Sequence, residues 1–494
     1  MKKRALFCTV ATGFGLALMT LVLGFCAAHP ALAAPIERYV SKTGTDGSND
    51  CKNPSAPCKT IQHAIDVAVP EDAIHVAGGT YTSTAGPVAV ITKSLAIVGS
   101  FDPSFTSSDP TMYQTTLDAS WKSSVVSATN AGNLFLQFLT LTQGNGTDNC
   151  GSYGCGGGIY ATNTALHVGQ CIIASSIAST TGDGVGGGIY VDNWNGDPAE
   201  IQESIIVANT ASIPGIGWGG GLYLRGGSTS IPTIVSSNTF VGNRASLDGE
   251  GQGGGAYLFA SPKTRSEFSH NTFSGNFGSG GSGWGDGGGL YLWYSENTVL
   301  EANQFRSNFA SVAGNGYGGA IYASNAVVFT MTNNLLTLNY ASVAGGGLWL
   351  DTFDHITGTL VNNTLVDNAM GAGGEGIWVG RSVSLTLTNN IIAGHTVGIT
   401  NTQPASSIIL ANTNLFWNTN DPVTGTNAIL QDPLLAPGYG PGPGSPALDN
   451  GLTIPWLTVD LEGTARPQGS AYDIGAFEGE RPSVFLPLVL RNSP

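Results

Sequence analysis

From about residue 155 to residue 420, apolar residues recur at alternate positions in short runs, and glycine, asparagine or serine separates the runs. Alternation with period two predicts half-buried strands, and runs this short predict strands broken by turns. In Leu290-Tyr291-Leu292-Trp293, two aliphatics interleave with two large aromatics directly behind three glycines at 287–289. The block returns as GGGIY at 156–160 and 186–190, GGGLY at 219–223, GGGAY at 253–257, GGAIY at 318–322, GGGLW at 345–349 and GEGIW at 374–378. The third residue of each triplet falls at 158, 188, 221, 255, 289, 320, 347 and 376, at intervals of 30, 33, 34, 34, 31, 27 and 29 residues. That period predicts a solenoid in which each repeat is one coil.

A second element lies between successive glycine runs: NTFVGN from Asn238, NTFSGN from Asn271, NQFRSN from Asn303, NLLTLN from Asn334 and NTLVDN from Asn363. Each follows a short alternating run such as Thr298-Val299-Leu300-Glu301, so a repeat holds three short strands separated by turns. The expected fold is an all-β, single-stranded parallel β-helix. Coils stacked about 4.8 Å apart turn every recurring position into a ladder. Asparagine suits such a ladder, because its amide donates and accepts along the stack and its backbone tolerates the left-handed conformation of a tight turn. Two Asn columns, 238/271/303/334/363/390 and 209/243/276/308/339/368, are therefore expected to be structural, with His395 closing the second. The glycines are expected at a corner that needs positive φ and close approach to the next coil. Residues 182–187 match G-x-G-x-x-G, but they open a strand and not a helix, which argues against a nucleotide site.

The GG(A/G)I and F-x-x-N elements resemble those of secreted right-handed parallel β-helix proteins of the pectin-lyase-like superfamily, including polymorphic outer-membrane-protein-type repeats. KTIQHAIDVA at 59–68, followed by DAIHVAGGTYT at 72–82, resembles the capping helix and first strand of that superfamily. GSPALDNG at 444–451 and ARPQGSAYDIGAFE at 465–478 resemble the closing segment of choice-of-anchor-Q proteins. The resemblance implies a right-handed coil and an N-terminal helical cap. It leaves activity open, since the superfamily holds lyases, hydrolases, esterases and adhesins.

One column of the strand after the glycines is aliphatic throughout and is expected to face the core. The alternate column, Tyr160, Tyr190, Tyr223, Tyr257, Tyr291, Tyr322, Trp349 and Trp378, is then expected to face outward. Two residues further on, the same face carries Asp192, Arg225, Phe259 and Trp293, with Trp218 and Trp284 in adjoining loops. Aromatic faces beside polar loop groups suit sugar rings, which stack on the faces and hydrogen-bond at their edges. Ring-to-ring packing between coils is the alternative use of the same stripe.

Asp192 and Arg225 fall on adjacent coils and could form the acid and base corner of a polysaccharide lyase, or a surface ion pair. The resemblance to β-helix lyases implies a basic residue that removes the proton α to a uronate carboxylate, with a cation neutralising that carboxylate. No cofactor is required; calcium is the one candidate, with Asp183, Asp248, Glu250 and Asp286 as possible oxygen ligands. Paired carboxylates for glycoside hydrolysis and a Ser/His/Asp arrangement are not evident.

Charged residues make up only 10% of the 494, against 71 glycines and 41% hydrophobic residues, which excludes a helix-rich or disordered chain. Lys2-Lys3-Arg4, the apolar run after it and Ala31-Leu32-Ala33 read as a secretory signal peptide over 1–33. Its removal takes the formal charge from −15 to −18, which makes nucleic acid a poor partner. The mature chain is expected to be extracellular or at the cell surface, monomeric, without a transmembrane span, and to meet a polysaccharide or surface glycan. Cys51/Cys58 and Cys150/Cys155 are close enough for two small disulfide loops, with Cys171 left over. The expected layout is a cap and first coils over 34–100, repeats over 101–420, a closing segment over 421–480 that seals the open end, and a tail over 481–494.

Overall fold

Period-two alternation leaves each strand with one apolar face, and stacking the coils buries those faces against one another. The computed structural model of the chain describes residues 35–227, 231–260, 264–370, 374–420 and 423–479. The expected signal peptide and tail lie outside the described residues. The chain divides into Met1–Ile36 and Glu37–Pro494, and every element below belongs to the second unit.

A middle coil shows the plan. Leu290–Trp293, Thr298–Glu301, Gln304–Arg306, Phe309–Ser311 and Gly316–Tyr317 follow one another around one turn. Each pairs in parallel with its counterpart one repeat away, as in Ala256↔Leu290 through Phe259↔Trp293. The three expected faces are present as sheets of 22, 12 and 7 strands, the first taking two strands from each middle coil. A fourth sheet, of six two-residue strands, runs through the loops that lead into the first six glycine triplets.

The aliphatic column is buried as expected, Leu290 and Leu292 completely. Inside the barrel Phe240, Phe273 and Phe305 stack with centroids 4.6 and 4.7 Å apart. Each of these side chains contributes roughly 1.5–3 kcal/mol by leaving water. The glycines divide their work. Gly287 has φ +65°, whereas a Cβ on Gly288 would lie 2.5 Å from the Phe309 carbonyl carbon and 2.6 Å from the Gly319 oxygen.

The asparagine columns form continuous ladders. Asn271 Nδ2 donates to the Val235 carbonyl at 2.8 Å and to Asn303 Oδ1 at 2.9 Å. Its own Oδ1 accepts from the backbone N–H and the Nδ2 of Asn238 at 3.0 and 3.1 Å. The first ladder runs one rung further than expected, to Asn414. The second ends on His395, whose Nε2 lies 3.3 Å from Asn368 Nδ2. One detail of the sequence reading is corrected: the left-handed residue is the one before each ladder asparagine. Ser237, His270 and Ala302 have φ of 57°, 56° and 52°, so the turn is made before the amide is placed.

At the N-terminal end the helix Ile61–Val67 buries Ile61, Ala64 and Ile65 over the first coil. Thr60 caps it, its side chain accepting from the His63 N–H. Both expected disulfides are formed, Cys51–Cys58 and Cys150–Cys155, and Cys171 is free and buried. The closing segment behaves differently from expectation. The turn at 423–429 covers the last coil, with Thr426 and Ile429 bridging to Asn412 and Leu415. The stretch beyond it doubles back along the flank, where Asn333, Asn362 and Asn389 donate to the carbonyls of Val459, Asp473 and Leu452. The flank offers these outward amides one per coil, which gives a returning chain regular anchors.

Candidate functional site

The tyrosine column sits on the outer side of its strands, as period two requires, yet its rings are buried or half-buried. Tyr160, Tyr190, Tyr223, Tyr257, Tyr291 and Tyr322 stack face to face with centroids 4.7–5.5 Å apart and planes within 16°. Trp349 and Trp378 continue the stack. Tyr257 is 1% exposed and Tyr291 5%. The expectation that sugars stack on these faces is therefore corrected, since each face is occupied by the next ring. What the ladder offers outward is ring edges and hydroxyls.

Those edges form the floor of a trough of about 490 Å³. One bank is the column that immediately precedes the glycine triplets: Cys155, Val185, Trp218 and Gln252, in parallel register one coil apart. The other bank carries Arg225, Trp293 and Asn325. The structure thus brings Tyr190, Trp218, Tyr223, Arg225, Tyr257, Tyr291 and Trp293 of the expected site to one place. Phe259 is a flank neighbour, with its ring 5.4 Å from Trp293. Trp284 is 57% exposed and outside the trough, because the residue in register with Trp218 is Asp286 and not Trp284.

Hydrogen bonds tie the first bank together. Trp218 Nε1 donates to Gln252 Oε1 at 2.9 Å, and Gln252 Nε2 donates to Asp286 Oδ2 at 3.4 Å. Burial pushes the Asp286 carboxyl up to about 7; the Gln252 hydrogen bond works against that shift and the Glu250 charge adds to it. Asp183 spends an oxygen on the Ile216 N–H at 2.8 Å, and Asp248 and Glu250 are exposed. Among the described residues, the only three or more candidate ligands whose atoms gather within 4.8 Å are Cys51, Cys58 and His63, and those two sulfurs are bonded to each other. The four acids proposed for calcium are not such a group.

Asp192 and Arg225 are neighbours in register. Arg225 Nε lies 3.7 Å from Asp192 Oδ1, an ion pair too long for a hydrogen bond. The guanidinium lies over Trp194 at 4.4 Å and near Phe259 at 5.7 Å. Tyr190 donates to Asp192 Oδ2 at 3.1 Å. Burial pushes the Tyr223 phenol up to about 12, and the Arg225 charge beside it opposes the shift. Three polar atoms at this bank are buried without a hydrogen-bond partner among the described residues: Arg225 Nε, Asp192 Oδ1 and Trp293 Nε1.

Sequence reasoning missed Tyr153, Trp194 and Gln252, and it named Trp218 and Asp286 without seeing that they share one bank column. Gln252 and Asp286 had a usable signal, since both stand one position before a glycine triplet, in step with Trp218. Tyr153 and Trp194 lie in single, unrepeated loops and had none.

Residues 217–415 match the family model of the right handed beta helix region, and the solenoid is a right-handed parallel β-helix. No curated protein matches the sequence. Among solved structures, the pectate lyase Pel9A is similar at 12% identity over 90% of this chain and 96% of its own, with a TM-score of 0.42. XylC in complex with xylose is similar at 10% identity over 90% and 99%, with a TM-score of 0.44. A mutant of the PL6-family alginate lyase AlyGC is similar at 16% identity over 86% and 58%, with a TM-score of 0.43. Among the described residues, no helix is long and apolar enough to cross a membrane.

Proposed function

We propose that this right-handed parallel β-helix is an exported polysaccharide-binding protein that holds sugar rings in the trough between the tyrosine ladder and the Trp218 bank. One observation carries the reading: a concave, aromatic-walled site is lined by Arg225 and Trp293, whose buried Nε and Nε1 find no hydrogen-bond partner among the described residues. Buried donors and acceptors are nearly always satisfied, so such orphans call for a ligand group or water. Sugars supply hydroxyls for these atoms and C–H faces for Trp218 and Trp293. The spacing of the ladder hydroxyls follows the coil rise, which is comparable to the length of a sugar ring. Export is supported by the leader at 1–33 and by two disulfides, which persist in oxidising compartments.

The test is electrophoresis of the mature protein in native gels cast with alginate, polygalacturonate, xylan or β-glucan. Slowed migration in one of them, lost in Trp218→Ala and Trp293→Ala but kept in Trp284→Ala, supports the reading. Unchanged migration in all four leaves an adhesive or purely structural protein.

A second reading, eliminative cleavage of a uronate polymer, is favoured by the Tyr223 hydroxyl beside a guanidinium that lacks a hydrogen bond at Nε. Arg225 would hold the carboxylate, Asp192 would take the proton α to it, and the bond from the β carbon to the glycosidic oxygen would break as the Tyr223 hydroxyl protonates that leaving oxygen. Cleared zones in the gel that Arg225→Ala abolishes would make this the function.

A further inference from the structure

We infer that the trough is closed at both ends and takes a short oligosaccharide or a chain terminus, not the interior of a long polymer. The inference rests on the carbohydrate reading above and adds the form of the ligand.

The N-terminal wall is built from the loop at 146–155. Cys155, Val185 and Trp218 are successive rungs of the bank, yet Tyr153 lies edge-on to Trp218 at 6.1 Å. Its ring therefore arches over the Val185 rung and blocks the run of the trough. The loop is fixed at its base: Cys150 is bonded to Cys155, and Asn149 Nδ2 donates to Ser124 Oγ at 2.5 Å and to the Cys155 carbonyl at 2.7 Å. Tyr153 is 44% exposed, as expected for the crest of a wall.

The far wall forms where bank and floor meet. Tyr317 is the rung after Asp286 on the bank, and Trp349 is the rung after Tyr322 on the floor. Their rings are 5.7 Å apart and edge to face, so the bank bends onto the ladder. Four floor rungs, Tyr190 to Tyr291, line the trough, separated by steps of 4.9–5.4 Å, and Tyr322 carries the ladder on to the far wall. The trough's volume, about 490 Å³, is in the range of small-ligand sites. One sugar per rung fills it.

The test measures the affinity of the mature protein for size-fractionated oligosaccharides of the same four polymers, from disaccharide to octasaccharide, and for each parent polymer at constant mass. Affinity is expected to rise until the oligomer fills the four rungs and then to level off. Polymer binding is expected to scale with the number of chain ends, so mild hydrolysis at constant mass raises it. Tyr153→Ala, whose urea midpoint should match the wild type because the ring is exposed, is expected to bind the octasaccharide about threefold more tightly than the tetrasaccharide. Affinity in the wild type that keeps rising past the fourth ring, or polymer binding indifferent to chain ends, overturns the closed trough while leaving carbohydrate binding intact. An unchanged length dependence in Tyr153→Ala overturns the N-terminal wall. Failure of every saccharide to bind overturns the carbohydrate reading, and the closed trough with it.

Discussion

Asp286, half-buried, and His395, buried, are two titratable groups whose shifts carry opposite signs. The Asp286 carboxyl titrates at about 7 in the folded chain, against about 3.9 when unfolded. Between those values the folded state holds more protons, so stability falls as pH rises through the window. Asp286→Asn keeps an acceptor for Gln252 and removes this dependence. The variant should therefore gain on the wild type by about 4 kcal/mol between pH 4 and pH 8, read from urea midpoints. His395 is 2% exposed, and burial pushes its imidazole down to about 3. Here the unfolded chain holds more protons between about 3 and 6.5, so stability rises with pH by up to about 1.4 kcal/mol per unit. His395→Asn, which extends the ladder with its own chemistry, should lose less stability than the wild type between pH 7 and pH 4. A steeper loss in the variant would contradict the assignment of His395 as a neutral end-piece.

At the scale of the element, packing and recognition use different parts of the same side chains. The tyrosine faces hold coil to coil, and the hydroxyls face the trough. Tyr291→Phe should keep stability within about 0.5 kcal/mol while weakening polysaccharide binding about tenfold, whereas Tyr291→Ala should cost about 3–5 kcal/mol. Equal effects of both variants on stability would mean that the hydroxyl, and not the stack, is structural. In the asparagine ladder, Asn303→Ala takes the Oδ1 acceptor from the Asn271 backbone N–H and Nδ2 and the Nδ2 donor from the Phe268 carbonyl. About 3 kcal/mol or more is expected to be lost in chemical denaturation. The columns themselves were legible in the sequence, because a period of two and a fixed repeat length assign every residue a face and a rung. Whether an outward ring meets solvent or another ring was not legible. That depends on the stacking angle between coils and on the loops that build the bank, and neither leaves a pattern within one strand. The outward placement of the ladder was read correctly, but its faces were assigned to sugar when they belong to the neighbouring coils.

On the scale of the molecule, the segment after residue 430 acts as a lateral brace. Arg466 and Glu478 form a fully buried ion pair at 2.7 Å, and Arg466 Nη2 donates to Asn333 Oδ1 at 3.0 Å. The sequence marked this segment as the chain's close but not its direction, since a returning chain and an end cap share the same turn-rich composition. Removing one partner of a buried pair costs about 3–5 kcal/mol, so Glu478→Ala should release the brace to protease before the coils unfold. The measurement that bears most directly on the account is side-chain oxidation footprinting of the mature protein, with and without each of the four polysaccharides. The account predicts that one polymer protects Tyr153, Trp218 and Trp293 and leaves Trp284 labelled as before. Protection at Trp284 with none at Trp218 or Trp293 would contradict it.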